Sequence, residues 1–194
     1  PTANNLTMKL SELPPLPYDI NDAVRDKAKL IKLAIFDVDG VLTDGRLYYG
    51  KNGEKLKVFH ALDGHGLKML QHAGIHVAII TARKSQALAK RLTDLKIAHV
   101  YMGVQDKVAV FEQLIEELNV SESECAFTGD DVIDLGVMQR CGLKFSVNNG
   151  HFVVKHVADW VSPLSGGLGA ARSVCDIILY CNNVYPIDSG HIQQ

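Results

Sequence analysis

Residues 31–36, Ile-Lys-Leu-Ala-Ile-Phe, form a largely apolar run of strand-forming residues that ends abruptly in Asp37-Val38-Asp39-Gly40. Side chains two apart on a strand share a face, so the spacing predicts that Asp37 and Asp39 project together while Val38 turns back toward the core. Two acids side by side at the end of a buried strand repel each other unless a cation or a shared proton relieves them. A divalent metal gives that relief, and Gly40 lets the backbone turn sharply beside it. The competing reading is a strand that ends in an ordinary polar turn, where Asp and Gly are common.

The rest of the chain alternates strand and helix signals. A short amphipathic helix over 21–30, with Asn21 as a possible cap, precedes the first strand. Asn52-Gly53 between two β-rich runs predicts a hairpin. A helix over 63–73 stopped by Gly74, a buried strand over 75–80 ending at Thr81, and a helix over 84–95 come next. A short strand over 99–101 leads to a helix over 107–118 capped by Asp106. A strand over 125–128 closes in Gly129-Asp130-Asp131, and a helix over 132–141 stops at Gly142. Two short strands, 144–147 and 159–161, flank a short helix near 152–156, and a glycine turn at Gly166, Gly167 and Gly169 opens a last helix to about residue 180.

This alternation predicts a three-layer α/β architecture, a Rossmann-like doubly wound parallel sheet with helices on both faces and a β-hairpin insertion. In such sheets ligands sit beyond the carboxyl ends of the strands. Asp37 and Asp39, Thr81, and Asp130 with Asp131 all follow strands on that side, and Lys107 opens a helix there. The 39–81 and 81–107 intervals are too short to carry a cap domain as well as these elements. The expected organisation is a single domain over 19–182, with a flexible N-terminal arm over 1–18, where Pro14, Pro15 and Pro17 cluster, and a flexible C-terminal tail over 183–194.

Bulk properties narrow the class. A net charge of −2 argues against nonspecific nucleic-acid binding. No apolar run reaches membrane-spanning length. Cys125, Cys141, Cys175 and Cys181 lack paired zinc-type spacing and read as small buried hydrophobes, which fits a reducing, cytoplasmic setting.

The converging residues suit phosphoryl transfer. A dianionic substrate in an acidic site needs a cation, and Mg²⁺ takes oxygen ligands while keeping several waters. Asp37, Asp130 and a backbone carbonyl near Asp39 could hold it. One carboxylate can attack phosphorus, and Asp39 can protonate the leaving alcohol and later help deprotonate water. Thr81 and Lys107 can meet the phosphoryl oxygens. Taken singly, each has a plainer alternative: Thr81 as a helix cap, Lys107 as a solvated first-turn lysine, Asp131 as a helix-start acid, Asp134 in a supporting or solvent role.

In order, these motifs resemble the haloacid-dehalogenase-like superfamily of phosphotransferases. The resemblance implies Asp37 as nucleophile, Asp39 as general acid/base, Thr81 and Lys107 on the phosphate, and Mg²⁺ held by Asp37, Asp39 and Asp130. A narrower resemblance covers residues 31–180. Leu42-Thr-Asp-Gly-Arg-Leu-Tyr-Tyr-Gly50, Asp63-Gly-His-Gly66, Thr81-Ala-Arg-Lys84, Gly103-Val-Gln-Asp-Lys107 and Gly167-Leu-Gly-Ala-Ala-Arg-Ser-Val-Cys-Asp176 are similar to the 3-deoxy-D-manno-octulosonate 8-phosphate phosphatases. Those enzymes dephosphorylate a sugar-acid phosphate in lipopolysaccharide biosynthesis. The resemblance implies substrate contacts from His60, Ala61, Leu62, Asp63, Gly64, Lys68, Arg83 and Arg91, the two arginines lying on roughly one face of the predicted helix.

This chain departs from the family at Ala82, where members usually carry Gly, at Leu62 and Lys68, where they carry Arg, and at Leu168, often Arg. A guanidinium grips a carboxylate with two prongs, which Leu cannot do and Lys does only as a point charge. A phosphatase for nine-carbon sugar-acid phosphates is therefore the alternative substrate reading. In a different class stands a phospho-aspartate receiver or a non-catalytic interaction domain. The resemblance also implies a homotetramer in which hairpins bearing Leu47, Tyr49, Val58 and Phe59 associate and a neighbouring subunit helps close each site.

Overall fold

A computed structural model of the chain describes residue 11 and residues 13–185. Most of the expected arms, 1–18 and 183–194, lies outside the described residues. What is described of them packs on the body: Tyr18 meets Trp160 edge-on, Tyr180 Oη donates to the carbonyl of Pro14, and Tyr185 Oη donates to Asp176.

Among the described residues, eight strands and seven α-helices follow in chain order: α1 (Asp22–Ala28), β1 (Leu33–Phe36), β2 (Tyr48–Gly50), β3 (Gly53–Leu56), α2 (Ala61–His72), β4 (His76–Thr81), α3 (Gln86–Asp94), β5 (His99–Met102), α4 (Lys107–Leu118), β6 (Cys125–Gly129), α5 (Leu135–Met138), β7 (Leu143–Ser146), α6 (Phe152–Val157), β8 (Trp160–Val161) and α7 (Ala170–Cys181). Six strands form a parallel sheet in the order β5-β4-β1-β6-β7-β8. The chain winds outward in one direction from β1 through β4 to β5, then crosses back to β6 and winds the other way. The switch point therefore lies between β1 and β6, where a doubly wound sheet opens a crevice at its carboxyl edge.

Alternation along the strands explains the two covering layers. Ala34, Phe36, Val77 and Ile79 face a core filled from α1, α2, α3 and α7, whereas Leu33, Ile35, Ala78, Ile80 and Phe127 face one filled from α4, α5 and α6. Neither helix layer leaves a separate insert: α2 and the hairpin account for the interval from Asp39 to Thr81, and α3 and β5 for that from Thr81 to Lys107. No helix among the described residues is long and apolar enough to cross a membrane.

Several expected boundaries shift for local reasons. Lys51 and Asn52 form the hairpin turn, and Gly53 closes it at φ +100°, a conformation open to glycine. The helix expected from 63 begins two residues earlier because His60 Nδ1 accepts from the Leu62 N–H. The helix expected from 84 begins at Gln86, capped by the Ser85 hydroxyl, so Thr81 is not its cap. The helix expected over 132–141 is a 3₁₀ turn, Val132–Asp134, followed by the single turn of α5. The cause is Asp134, whose carboxylate folds back to accept from the N–H groups of Asp130 and Asp131.

The glycine turn before α7 packs on the loop that follows β1. Gly167 N–H donates to Val41 O at 3.0 Å, and Gly166 N–H to Asn149 Oδ1 at 2.9 Å. A methyl group on Gly166 would stand 1.7 Å from Gly40 O and 2.9 Å from Thr43 O, both backbone atoms. Gly166→Ala is therefore expected to destabilise the protein by about 3 kcal/mol, lowering Tm by roughly 10 °C. Thermal unfolding followed by circular dichroism checks this, and an unchanged Tm would refute the close packing.

Candidate active site

Asp37 leaves β1 still in register with β6, its N–H donating to Thr128 O at 3.1 Å. The chain then turns tightly: Val38 O accepts from the N–H groups of Val41, Leu42 and Thr43, and the Val38 side chain is fully buried. Gly40 sits at φ +91°, and a Cβ there would lie 2.0 Å from Asp130 Oδ2. Glycine is thus required twice at this position, once by the backbone and once by the carboxylate lying against it.

Lys107, the first residue of α4, reaches into the switch-point crevice with only 5% of its surface exposed. Its ammonium stands 3.0 Å from Asp37 Oδ1 and 2.7 Å from Asp134 Oδ1. Burial works against that charge, but the carboxylates of Asp37 and Asp134 outweigh it, and the Lys107 pKa is raised. A first-turn lysine facing solvent is therefore not what this residue is. Asp134, completely buried, is not in a solvent role either. One of its oxygens takes Lys107 and the other takes the N–H groups of Asp130, at 3.0 Å, and Asp131, at 3.3 Å.

Carboxylate oxygens of Asp37, Asp130 and Asp134 lie within 4.8 Å of one another. At that separation two bare carboxylates repel by roughly 3 kcal/mol at an effective dielectric of ~20. The consequence is visible in their acidities. Burial, reinforced by the neighbouring charge of Asp134, raises Asp37 to about 6 despite the opposing pull of Lys107. Burial and the charges of Asp37, Asp134 and Asp131 push Asp130 up to about 8. Asp130 Oδ1 is buried and accepts no hydrogen bond. A divalent cation fits this donor set: it would satisfy the orphaned oxygen and let Asp37 and Asp130 ionise together. Asp134 is already committed through both oxygens, so Asp37 and Asp130 are the carboxylates with capacity to spare.

Around these groups lies an open cleft of about 140 Å³ lined by Asp37, Asp39, Thr81, Ala82, Arg83, Asp130, Asp131 and Ile133. Thr81 ends β4 with 2% of its surface exposed. Asp131 caps the following turn by accepting from the Val132 N–H at 2.7 Å. The Asp39 carboxylate does not join the acidic cluster. It pairs instead with Lys57 Nζ at 2.5 Å, and Arg83 Nε stands 3.6 Å from its second oxygen.

Arg83 is on this lining as well, and the remaining residues expected on substrate are not. Arg83 precedes α3 and turns to the hairpin, donating to Tyr49 Oη at 2.9 Å and Glu54 Oε2 at 3.2 Å, so it shares no helix face with Arg91. Arg91 lies over Gly64, where a Cβ would meet its Nη2 at 2.3 Å. With His60 and Asp63 these two line a second, narrow hollow of about 10 Å³ together with Leu42, Phe59 and Leu67. Asp63 is only 2% exposed and caps α7, its Oδ1 accepting from the Arg172 N–H at 2.9 Å. Ala61 and Leu62 are exposed at the start of α2, and Lys68 is half-buried further along it. Phe59, expected on the outer face of the hairpin, packs inward against the core.

Lys57 and Glu54 are the residues that sequence reasoning missed. The Lys57 side chain is 3% exposed and also pairs with Glu54 at 3.1 Å. The alternation of the hairpin does not mark either residue, since Phe59, two positions on, also reads as outward-facing.

Residues 99–169 match the haloacid dehalogenase-like hydrolase family. The 3-deoxy-D-manno-octulosonate 8-phosphate phosphatase of Salmonella typhi is 42% identical over 160 residues, spanning 82% of this chain and 85% of that protein. The crystal structure of the same-named phosphatase from Yersinia pestis superposes with a TM-score of 0.83 at 40% identity, covering 84% of this chain and 89% of that one. The Moraxella catarrhalis phosphatase, solved in complex with magnesium ion, phosphate ion and KDO, superposes with a TM-score of 0.81 at 40% identity, covering 84% and 93%. The chain thus belongs to the haloacid dehalogenase-like hydrolases, within the 3-deoxy-D-manno-octulosonate 8-phosphate phosphatase family.

Proposed function

We propose that this chain hydrolyses 3-deoxy-D-manno-octulosonate 8-phosphate to the free sugar acid and phosphate, with Asp37 as the nucleophile and Mg²⁺ as the cation. The observation that carries the reading is the buried Asp37 carboxylate held 3.0 Å from the Lys107 ammonium at the mouth of the switch-point crevice. An ammonium in that position orients the attacking oxygen and offers positive charge where the equatorial phosphoryl oxygens arrive.

The reaction proceeds in two displacements. Asp37 attacks phosphorus, the P–O bond to the sugar breaks, and Asp39 gives its proton to the departing alkoxide. Water then attacks the aspartyl phosphate, Asp39 takes a proton from it, and the Asp37 carboxylate is released. Thr81 and Lys107 hold the phosphoryl oxygens through both steps, and Arg83, whose Nε is buried without a hydrogen-bond partner, takes an anionic oxygen of the substrate. Asp37, Asp130 and the backbone carbonyl of Asp39 would hold Mg²⁺, which neutralises the acidic cluster and the incoming dianion. Asp134 and Asp131 support this arrangement through the turn they brace.

A homotetramer belongs to the same proposal. Leu47, Tyr49, Leu56 and Val58 expose 48%, 61%, 46% and 54% of their surfaces on a two-stranded hairpin, which is marginal alone in water. His60, Leu62, Lys68 and Arg91 are not among the residues lining the cleft of their own chain, and an assembly would let them serve a neighbour's. A single-domain body over 19–182 and a cytoplasmic setting complete the reading; the four thiols are unpaired and buried, as a reducing compartment allows.

Three outcomes are expected. Phosphate release from a panel of sugar and sugar-acid phosphates should favour the octulosonate ester and require Mg²⁺, with Asp37→Asn abolishing turnover and Asp39→Asn binding substrate but stalling; equal rates on all sugars would defeat the substrate assignment. Adding millimolar Mg²⁺ to metal-free protein should raise Tm, by an amount equivalent to about 2.7 kcal/mol at a hundredfold excess over Kd, and Asp130→Asn should remove the shift. Sedimentation at micromolar concentration should give a tetramer, and a stable active monomer would contradict it.

A further inference from the structure

Lys57 is a lysine whose side chain is almost wholly removed from water at the foot of a hairpin that is otherwise exposed. Such a charge is retained only where its partners repay the lost hydration. Here the partners are Asp39 Oδ1 at 2.5 Å and Glu54 Oε2 at 3.1 Å, while Arg83 pairs with the same Glu54 at 3.2 Å. The four side chains form a charge-balanced quartet of two acids and two bases. It joins the loop after β1, the hairpin and the loop after β4.

The quartet distinguishes the two oxygens of Asp39. Oδ1 is taken by Lys57; Arg83 Nε stands 3.6 Å from Oδ2, too far for a hydrogen bond. Asp39 lines the cleft, and Lys57 does not. Two of the three Lys57 donors are spent on Asp39 and Glu54, so Lys57 meets the cleft through the Asp39 carboxylate.

We propose that Lys57 is a positioning residue: by occupying Asp39 Oδ1 it fixes the rotamer of that carboxylate, so that Oδ2 is the oxygen that hands its proton to the leaving group and later receives one from water. The hairpin thereby becomes part of the machinery for proton transfer as well as an outer surface. The inference rests on Asp39 being the acid–base of the proposed reaction, and it concerns where that carboxyl points.

Leaving groups of different quality test it. A sugar alkoxide needs a proton as the P–O bond breaks, whereas p-nitrophenolate departs without one. In Lys57→Met, kcat on octulosonate 8-phosphate is expected to fall about 10²-fold, within the range of a misplaced general acid. KM should change by less than ~3-fold, and the first-turnover burst rate of p-nitrophenolate release, which precedes the water step common to both esters, by a similarly small factor. Combined with Asp39→Asn, the substitution should cost nothing further on the alkyl ester, because both act through one group. Equal first-turnover losses on the two esters, or additive losses in the double variant, would overturn the assignment. An inactive parent enzyme would speak against the proposed reaction, while an active parent with a variant impaired equally on both esters in the first turnover would speak against Lys57 alone. A measurement on the parent protein covers a variant that fails to fold: in crystals grown with Mg²⁺ and a phosphate mimic, Lys57 should remain on Asp39 Oδ1, and its transfer to the mimic would overturn the proposal.

Discussion

Everything at the carboxyl edge of this sheet hangs on one buried ammonium. Lys107 stands between Asp37 and Asp134, and each of these carboxylates belongs to a different segment: the end of β1 and the turn after β6. Removing the lysine would leave two acids buried with no countercharge, an arrangement that costs on the order of 3–5 kcal/mol. The same contact fixes more than a charge. Because Asp134 spends its other oxygen on the N–H groups of Asp130 and Asp131, the lysine indirectly sets where Asp130 projects. Fold and chemistry are therefore joined at the point where the direction of winding reverses.

The parts of this site legible in the sequence are those that fall at element boundaries. Asp37 and Asp39 end an apolar run, Thr81 ends another, Lys107 follows a capping aspartate and Asp130 follows a strand closed by glycine; topology then carries all of them to one edge. Local pattern does not reveal what a side chain meets across the fold. Asp134 reads as a supporting or solvent-facing acid, and its burial against Lys107 removes only the second of these. Arg83 and Arg91 shared a face only on a helix that in fact begins after Arg83. Lys57 and Glu54 were illegible because their role depends on how the hairpin lies over the loops, and a hairpin's own alternation leaves that open.

Seven of the residues gathered by resemblance divide between two concavities. Asp39, Thr81 and Arg83 share the cleft, while His60, Asp63, Gly64 and Arg91 line the hollow beside α2. Within the second group Asp63 serves the fold, since it caps α7 from a buried position. Leu62 and Leu168 expose 53% and 60% of their surfaces. These apolar positions lie at the ends of the elements that Asp63 ties together.

The four cysteines add a property of a different kind. All are sequestered, and burial pushes the thiols of Cys125, Cys141, Cys175 and Cys181 above their ordinary range, so little nucleophilic thiolate is available while the protein is folded. They are distributed between both helix layers and the sheet. The molecule consequently carries its own set of silent labels: the rate at which an alkylating dye consumes each sulfhydryl, resolved by mass spectrometry, would give a map of which layer opens first.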